Sequence, residues 1–160
     1  MDLLDFDLAN DAEVGVEVHL KNPRTDNDEP LFTKDGRPVT ITVAGMYSRA
    51  YRDAVEAANK RLFGFPPTML DHPMFRPQRD AADMEVLVAV TLEWQGITAD
   101  GVELDFTDEA VAAVYRRFQW IREQVTKAIH DPKGFPATRS TWAPPAAVPK
   151  PPRQPDFSKW

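Results

Sequence analysis

The sequence predicts an α+β fold: an N-terminal antiparallel β-hairpin packed on a small bundle of about three helices, with a flexible proline-rich C-terminal tail. Two apolar runs alternate with a period of two, which is typical of half-buried strands, and later segments repeat at three and four residues, which is typical of helices. Eight of the 15 prolines lie after residue 130. The chain therefore divides into an acidic N-terminal segment (1–13), an α+β domain (14–135) and a proline-rich tail (136–160).

The predicted hairpin rests on two valine-rich runs. Residues 14–19 (VGVEVH) and 39–44 (VTITVA) each place an apolar side chain at every second position. Residues 21–37 between them are rich in turn formers, so we expect a long connecting loop. Residues 1–12 precede the hairpin and are expected to be frayed. An isolated hairpin is marginal in water, so its apolar face requires a helix or a further strand.

The first predicted helix runs from Tyr47 to Phe63. Ser48 is a suitable N-cap because its hydroxyl accepts a hydrogen bond from an exposed amide of the first turn. Gly64 and the prolines that follow it stop the helix. Its apolar stripe consists of Tyr47, Ala50, Tyr51, Ala54, Val55, Ala58 and Leu62.

A second helix is predicted after an irregular proline-rich loop at residues 64–79. It begins at Asp80, a plausible N-cap, and extends to about Trp94. The alternative is a buried strand at residues 86–90 (VLVAV), which are rich in β-branched side chains. The length of the segment favours a helix.

The third helix has the clearest pattern and is predicted as one element from Thr107 to His130. Thr107 is a good N-cap, Asp108 and Glu109 suit the positive end of the helix dipole, and a proline follows the last turn. A seam with near-heptad spacing predicts packing against another helix, either within the fold or in a second copy. The seam residues are Val111, Val114, Phe118, Ile121, Val125 and Ala128.

Composition and charge narrow the possible functions. The formal net charge is -6, and the five basic and two acidic residues from position 131 onward give the tail region +3, which leaves -9 for residues 1–130. An acidic body repels phosphate, so nucleic acid is not an expected partner. The absence of cysteine excludes disulfides and thiolate chemistry. No signal peptide and no run of about 18 apolar residues is visible, so no membrane partner is expected.

The sequence contains no recognisable active site, so we expect neither an enzyme nor a bound metal or cofactor. The three histidines, at separate places in the pattern, are His19, His72 and His130. The acidic loop at residues 26–35 fails the spacing of a calcium loop because Pro30 stands at the third ligand position. Glycine-rich phosphate loops and nucleophile elbows are also missing.

Apolar side chains in segments without regular structure are the candidate binding residues. One group lies in or beside the proline-rich loop, where aromatic and methionine side chains suit adaptable contact with an apolar client. The alternative is that this loop folds back over the core. The candidate partner-binding residues are Phe63, Phe65, Met69, Met74 and Phe75 in the loop region, with Trp142 and Trp160 in the tail.

The order of several short motifs resembles that of bacteriophage tail assembly chaperones of the long-tailed, lambda-like type. In the C-terminal half these are the Trp94–Gly96 turn, the Phe106–Glu109 helix start, the Gln124–Val125 pair and the Asp131–Phe135 segment. The N-terminal half is similar in layout, with two strands, an Asp-Gly loop at residue 35 and a Tyr-Ser-x-x-Tyr-Arg helix start. The resemblance covers about residues 14 to 135.

This resemblance implies a protein that binds the tape measure protein, keeps it soluble and helps to recruit tail tube protein during tail morphogenesis. Such a chaperone acts in the cytoplasm of the infected or lysogenic bacterial host and is not expected in the mature virion. Homo-oligomers are possible, and several weak copies on one elongated client would bind through avidity. The main alternative is a structural virion or head–tail component whose proline-rich tail is an inter-subunit arm; a regulatory protein and an enzyme are further alternatives.

Overall fold

A computed structural model describes residues 1–138 and 140–146 and has an α+β fold. The α-helices in these residues are Leu8–Val14 (α1), Arg49–Leu62 (α2), Pro67–Leu70 (α3), Arg76–Val90 (α4), Asp108–Arg117 (α5) and Gln119–Ile129 (α6). The strands are Val16–His19 (β1), Thr40–Val43 (β2), Thr91–Gln95 (β3), Thr98–Ala99 (β4) and Val102–Glu103 (β5). Short 3-10 helices occupy Leu3–Phe6, Pro73–Phe75 and Pro132–Gly134.

The predicted antiparallel hairpin is confirmed, and it belongs to a three-stranded sheet of order β1-β2-β3. Ile41 in the central strand pairs with Val18 on one side and with Trp94 on the other. Val14 lies in α1 rather than in the first strand, since Gly15 at φ +84° separates helix from strand. The shorter strands β4 and β5 form a second hairpin around the turn at Asp100 and Gly101.

The third strand was not predicted from the sequence. Residues 76–90 are helical, so the alternative of a strand at 86–90 is wrong, and the predicted helix to Trp94 is four residues too long. The helix ends where Thr91 becomes extended, and the chain then pairs with the free edge of β2. Backbone pairing with β2 therefore overrides the helical pattern.

The loop between β1 and β2 is tied together by backbone hydrogen bonds. The amide of Leu20 donates to Val39 O at 3.0 Å, and the amide of Leu31 donates to Leu20 O at 2.8 Å. The side-chain amide of Gln124 in α6 both accepts from Lys21 N and donates to Lys21 O, each at 2.9 Å. This pair of bonds fastens the end of the hairpin to the last helix.

The core lies between one face of the sheet and the helices α4, α5 and α6. Ile41 and Val43 are completely buried, and Val90, Val111 and Val125 pack around them. The core also contains one polar pair: Thr91 Oγ1 lies 2.7 Å from Tyr115 Oη and 2.7 Å from the carbonyl of Leu87. Since Thr91 has a single proton to give to Leu87, the Tyr115 hydroxyl donates to Thr91. Burial raises the pKa of Tyr115 to about 12.

Two of the three predicted N-caps are confirmed. Ser48 Oγ accepts from Tyr51 N and Thr107 Oγ1 accepts from Ala110 N, both at 3.1 Å. The predicted cap at Asp80 is wrong because the helix begins four residues earlier, at Arg76, with Pro77 in its first turn. Proline suits that position because the amide it lacks has no intrahelical partner there.

The predicted single helix from Thr107 to His130 is divided at Phe118, whose ψ of 79° is not helical. The two halves have different supports, because α5 packs on α4 whereas α6 packs on β1 and β2. The predicted seam is buried at Val111, Val114, Ile121 and Val125. Ala128 is half-buried, and the break leaves the side chain of Phe118 45% exposed.

The N-terminal segment is helical rather than frayed. Ala12 in α1 is buried, and the carbonyl of Ala12 accepts from Gly45 N at 3.1 Å. A Cβ atom at Gly45 would lie 2.8 Å from Cζ of Phe135 and 3.0 Å from Cβ of Ala12, so any larger residue would force these side chains to shift. The N-terminal segment and the C-terminal end of the predicted domain therefore meet at Gly45.

The exposure of Phe118 leads to a prediction about two substitutions. Val125→Asp places a charge in a fully buried site and is expected to cost several kcal/mol of stability, about 3 or more. Phe118→Asp is expected to cost less than about 1 kcal/mol because water already reaches the side chain. Chemical denaturation of both variants and the wild type checks this, and equal losses would contradict the division of the helix.

The raised pKa of Tyr115 predicts a loss of stability in alkaline solution. Its pKa is 10.0 when unperturbed and about 12 in the folded chain, so the associated stability is fully present below pH 10.0 and is lost as the pH rises toward 12. Tyr115→Phe should remove this component. Urea unfolding at about pH 8 and about pH 11 measures it, with Tyr47→Phe at an exposed site as the control that keeps the wild-type dependence. A Tyr115→Phe variant with unchanged pH dependence would refute the assignment.

Candidate protein-binding surface

The segment between α2 and α4 is built from short helical turns in place of the irregular loop that its prolines predict. Pro67 is the first residue of α3, Pro73 begins a 3-10 helix, and Pro77 lies in the first turn of α4. Proline at a helix start has its φ already fixed near the helical value and lacks only an amide that would be unpaired. The prolines therefore stiffen the connection between the two helices.

Residues 63–75 form what we name the aromatic tip. Phe63 is 91% exposed, Met74 69% and Met69 50%, so these three side chains do not pack into the core. Phe65 and Phe75 are half-buried and contact each other, with ring centroids 5.0 Å apart and planes at 58°. The segment thus has an internal aromatic contact and an exposed apolar outer side.

Polar contacts hold the aromatic tip in place. His72 Nδ1 accepts from Met74 N at 3.1 Å, which assigns His72 a structural role in the turn. Arg79 in α4 donates to Leu70 O at 3.3 Å and lies 3.6 Å from the carboxylate of Asp71. These contacts fix the backbone beneath the exposed side chains. Binding to a partner would therefore cost this segment little conformational entropy.

A second apolar area, which we name the terminal patch, consists of Leu3, Leu4, Trp142 and Pro144. Trp142 is 54% exposed and lines a cleft of about 530 Å³ with Leu3, Leu4 and Pro144. Leu3 is 64% exposed, so the two ends of the described chain present apolar side chains side by side. The other candidate in the tail, Trp160, lies outside the described residues.

Hydrogen bonds between the tail and α1 position the terminal patch. Asp11 Oδ1 accepts from the amide of Thr138 at 2.7 Å and from its hydroxyl at 3.0 Å. Ser140 donates its hydroxyl to Asp7, and the amide of Trp142 donates to Ser140 Oγ at 3.1 Å. Sequence reasoning missed these carboxylates because their partners lie more than 120 residues away. The contacts join the predicted N-terminal segment (1–13) to the predicted tail (136–160).

The hydroxyl of Ser140 changes the acidity of Asp7. Its hydrogen bond to the carboxylate is the largest cause that holds the pKa of Asp7 below its usual 3.8, followed by the bond from the amide of Asn10. A lowered pKa means that this interaction is present above pH 3.8 and is lost as the pH falls further.

The residues that carry the motif resemblance mainly have structural contacts. Trp94 Nε1 donates to Leu104 O at 3.0 Å, and its ring meets Phe106 edge to face at 5.4 Å. Gly96 has φ +76°, and a Cβ there would lie 2.8 Å from Thr33. These contacts position the β4–β5 hairpin, and Gln124 fastens the β1–β2 loop. The contacts explain why these residue types occur at these positions of the fold. They do not identify a protein that the chain binds.

Clusters of metal-ligating side chains and membrane-spanning helices are both missing from the described residues. These residues include no group of three or more His, Cys, Asp or Glu side chains placed to hold a metal ion. Among the helices within residues 1–138 and 140–146, none is both long and apolar enough to cross a membrane.

Loss of the Ser140 hydroxyl should raise the pKa of Asp7 toward 3.8, because the hydrogen bond that lowers this pKa most is removed. NMR titration of the Asp7 carboxyl carbon in Ser140→Ala measures the change. Ser140→Thr keeps a hydroxyl donor and serves as the matched control, with a pKa close to that of the wild type. An Asp7 titration that is the same in Ser140→Ala and in the wild type would show that the tail is not held at this point.

Comparison with known proteins gives no family for this chain. No protein-family model, no curated protein and no solved structure matches it.

Proposed function

We propose that this chain is a tail assembly chaperone that binds the tape measure protein of a long-tailed phage and keeps it soluble. The single observation that carries the proposal is the aromatic tip, which exposes Phe63, Met69 and Met74 on a fixed backbone. Aromatic and methionine side chains adapt to varied apolar segments, which suits a holding role without chemistry. The order of the short motifs between residues 14 and 135 supplies the identity of the client.

The rest of the role follows from the same proposal. Contacts with an elongated client are individually weak, so several copies bound along its length would hold it through avidity. The chaperone then recruits tail tube protein, works in the cytoplasm of the bacterial host, and is absent from the finished virion. The terminal patch around Trp142 is a second exposed apolar area available for the tube protein.

Co-expression with the tape measure protein of the same genome tests the proposal. We expect the soluble fraction of the tape measure protein to rise at least about threefold with the wild-type chain, and most of this gain to be lost in Phe63→Ser/Met74→Ser. Val102→Ser is the matched control, because Val102 is 67% exposed but lies in the β4–β5 hairpin.

Two results would count against the proposal. One is a tape measure protein that is equally insoluble with and without the chain. The other is recovery of the chain from purified virions at the copy number of a structural subunit, which would favour the alternative of a virion component.

A further inference from the structure

A solvent-open cleft of about 850 Å³ lies between α2, α4 and α6. The lining runs from Tyr51 to Leu62 along α2, and from Gln119 in α6 to His130, the residue that follows this helix. Each of these spans covers eleven residue steps, or about 16 Å of helix. The cleft is therefore three helical turns long, and its lining includes no residue of the aromatic tip.

The cleft is open because its two long sides pack against different neighbours. Helix α2 packs mainly along α4, whereas α6 packs on α5 and on the β1–β2 hairpin. Tyr51 and His130 close one end, with Tyr51 Oη 3.3 Å from His130 Nε2 and the rings edge to face at 5.9 Å. At the other end α2 leads into the exposed Phe63, and the exposed Phe118 precedes α6.

Apolar side chains line the interior of the cleft. Val55 in α2 and Val86 in α4 are half-buried there, beside the ring of Tyr51. These residues belong to three-and-four spaced stripes, the pattern by which one helix packs on another. Their remaining exposure is therefore apolar surface of the kind that a helix in a bundle covers.

The charged residues of the cleft differ between its sides. Helix α4 contributes the carboxylates Asp80 and Asp83, and α6 contributes Arg122 and Lys127 against the single acid Glu123. Within the part of the chain that the structure describes, these charged side chains form no ion pair. The carboxylates on the α4 side are thus free to attract basic side chains of a partner. The α6 side has one more basic than acidic side chain and is free to attract acidic side chains of a partner.

We propose that the cleft receives one amphipathic α-helix of a partner protein, about three turns long. Its apolar stripe covers Val55, Val86 and Tyr51, its basic flank faces Asp80 and Asp83, and its acidic flank faces Arg122 and Lys127. This is helix-in-groove recognition, in which apolar anchors provide affinity and charged flanks determine orientation. The identity of the protein that carries this helix rests on the proposed client-binding function.

Three synthetic peptides test the inference. All are about 18 residues long, which is enough for appreciable helix in water, and share a leucine stripe at three-and-four spacing. One has lysine on one flank and glutamate on the other, the second has lysine on both flanks, and the third has glutamate on both. We expect the mixed peptide to bind the full chain about fivefold tighter than either uniform peptide, because only it matches both sides of the cleft. Isothermal titration calorimetry measures the three affinities.

Charge reversal on α4 provides a variant that leaves the fold intact, because Asp80 and Asp83 are both exposed. Asp80→Lys/Asp83→Lys makes both sides basic, so the preference should shift to the peptide with glutamate on both flanks, again by about fivefold. Asp26→Lys/Glu29→Lys changes the net charge equally in the β1–β2 loop and should keep the preference for the mixed peptide. In the interior of the cleft, Val55→Ser/Val86→Ser should weaken the mixed peptide at least about tenfold, with Val102→Ser as the control.

Several outcomes would overturn the inference. Equal affinity for the three peptides, no binding, or an unchanged preference in the Asp80→Lys/Asp83→Lys variant would each do so. A wild-type dimer that dissociates on Val55→Ser/Val86→Ser, measured by sedimentation equilibrium, would show that a second copy fills the cleft.

The inference and the proposed function fail separately. If the cleft variants keep the tape measure protein as soluble as the wild type does, the inference is wrong and the proposed function stands. If the mixed peptide binds but the tape measure protein stays insoluble with the wild-type chain, the cleft recognises a helix of another protein and the proposed function is wrong.

Discussion

Burial of one face of the central strand is the constraint on which the rest of the structure depends. Ile41 and Val43 have no exposed surface, and β2 lies between two partner strands. A strand of four residues cannot remain paired in water unless helices cover its apolar face. This requirement brings α4 and α6 onto the sheet and explains why residues 91–95 leave the helix to pair with β2.

The same constraint divides the last helical region. Its first part, α5, packs on α4, and its second part, α6, covers the β1–β2 hairpin. A single straight helix could not make both contacts, because they lie in different directions. The break at Phe118 allows α5 to bury Val111 and Val114 and α6 to bury Ile121 and Val125. Phe118 itself remains partly exposed to water. The cleft between α2 and α6 is the space left when these helices pack on different supports. Packing that stabilises the fold thus creates the surface on which we propose that a helix docks.

The exposed apolar side chains stand on backbone that local contacts hold in place. Phe63, Met69 and Met74 stand on a segment whose prolines begin helical turns and whose turn is fixed by His72 and Arg79. Trp142 is placed by hydrogen bonds that run from Ser140 to Asp7, the N-cap of α1, and from Thr138 to Asp11 within α1. Apolar side chains on fixed backbone are suited to contact with another protein, since ordering them costs little.

The sequence by itself determined the features that depend on neighbouring residues: the two valine-rich strands and their antiparallel pairing, and the caps at Ser48 and Thr107. Local pattern could not reveal the strand at 91–95, the break at Phe118 or the order in α1, because each depends on contacts with residues far away in the chain. The cleft was equally invisible, since its sides come from three different helices, and Tyr51 and His130 at one end of it are 79 residues apart in the chain. Periodicity reports which face of an element is apolar, whereas only tertiary packing decides which of those faces is covered and which remains open to a partner.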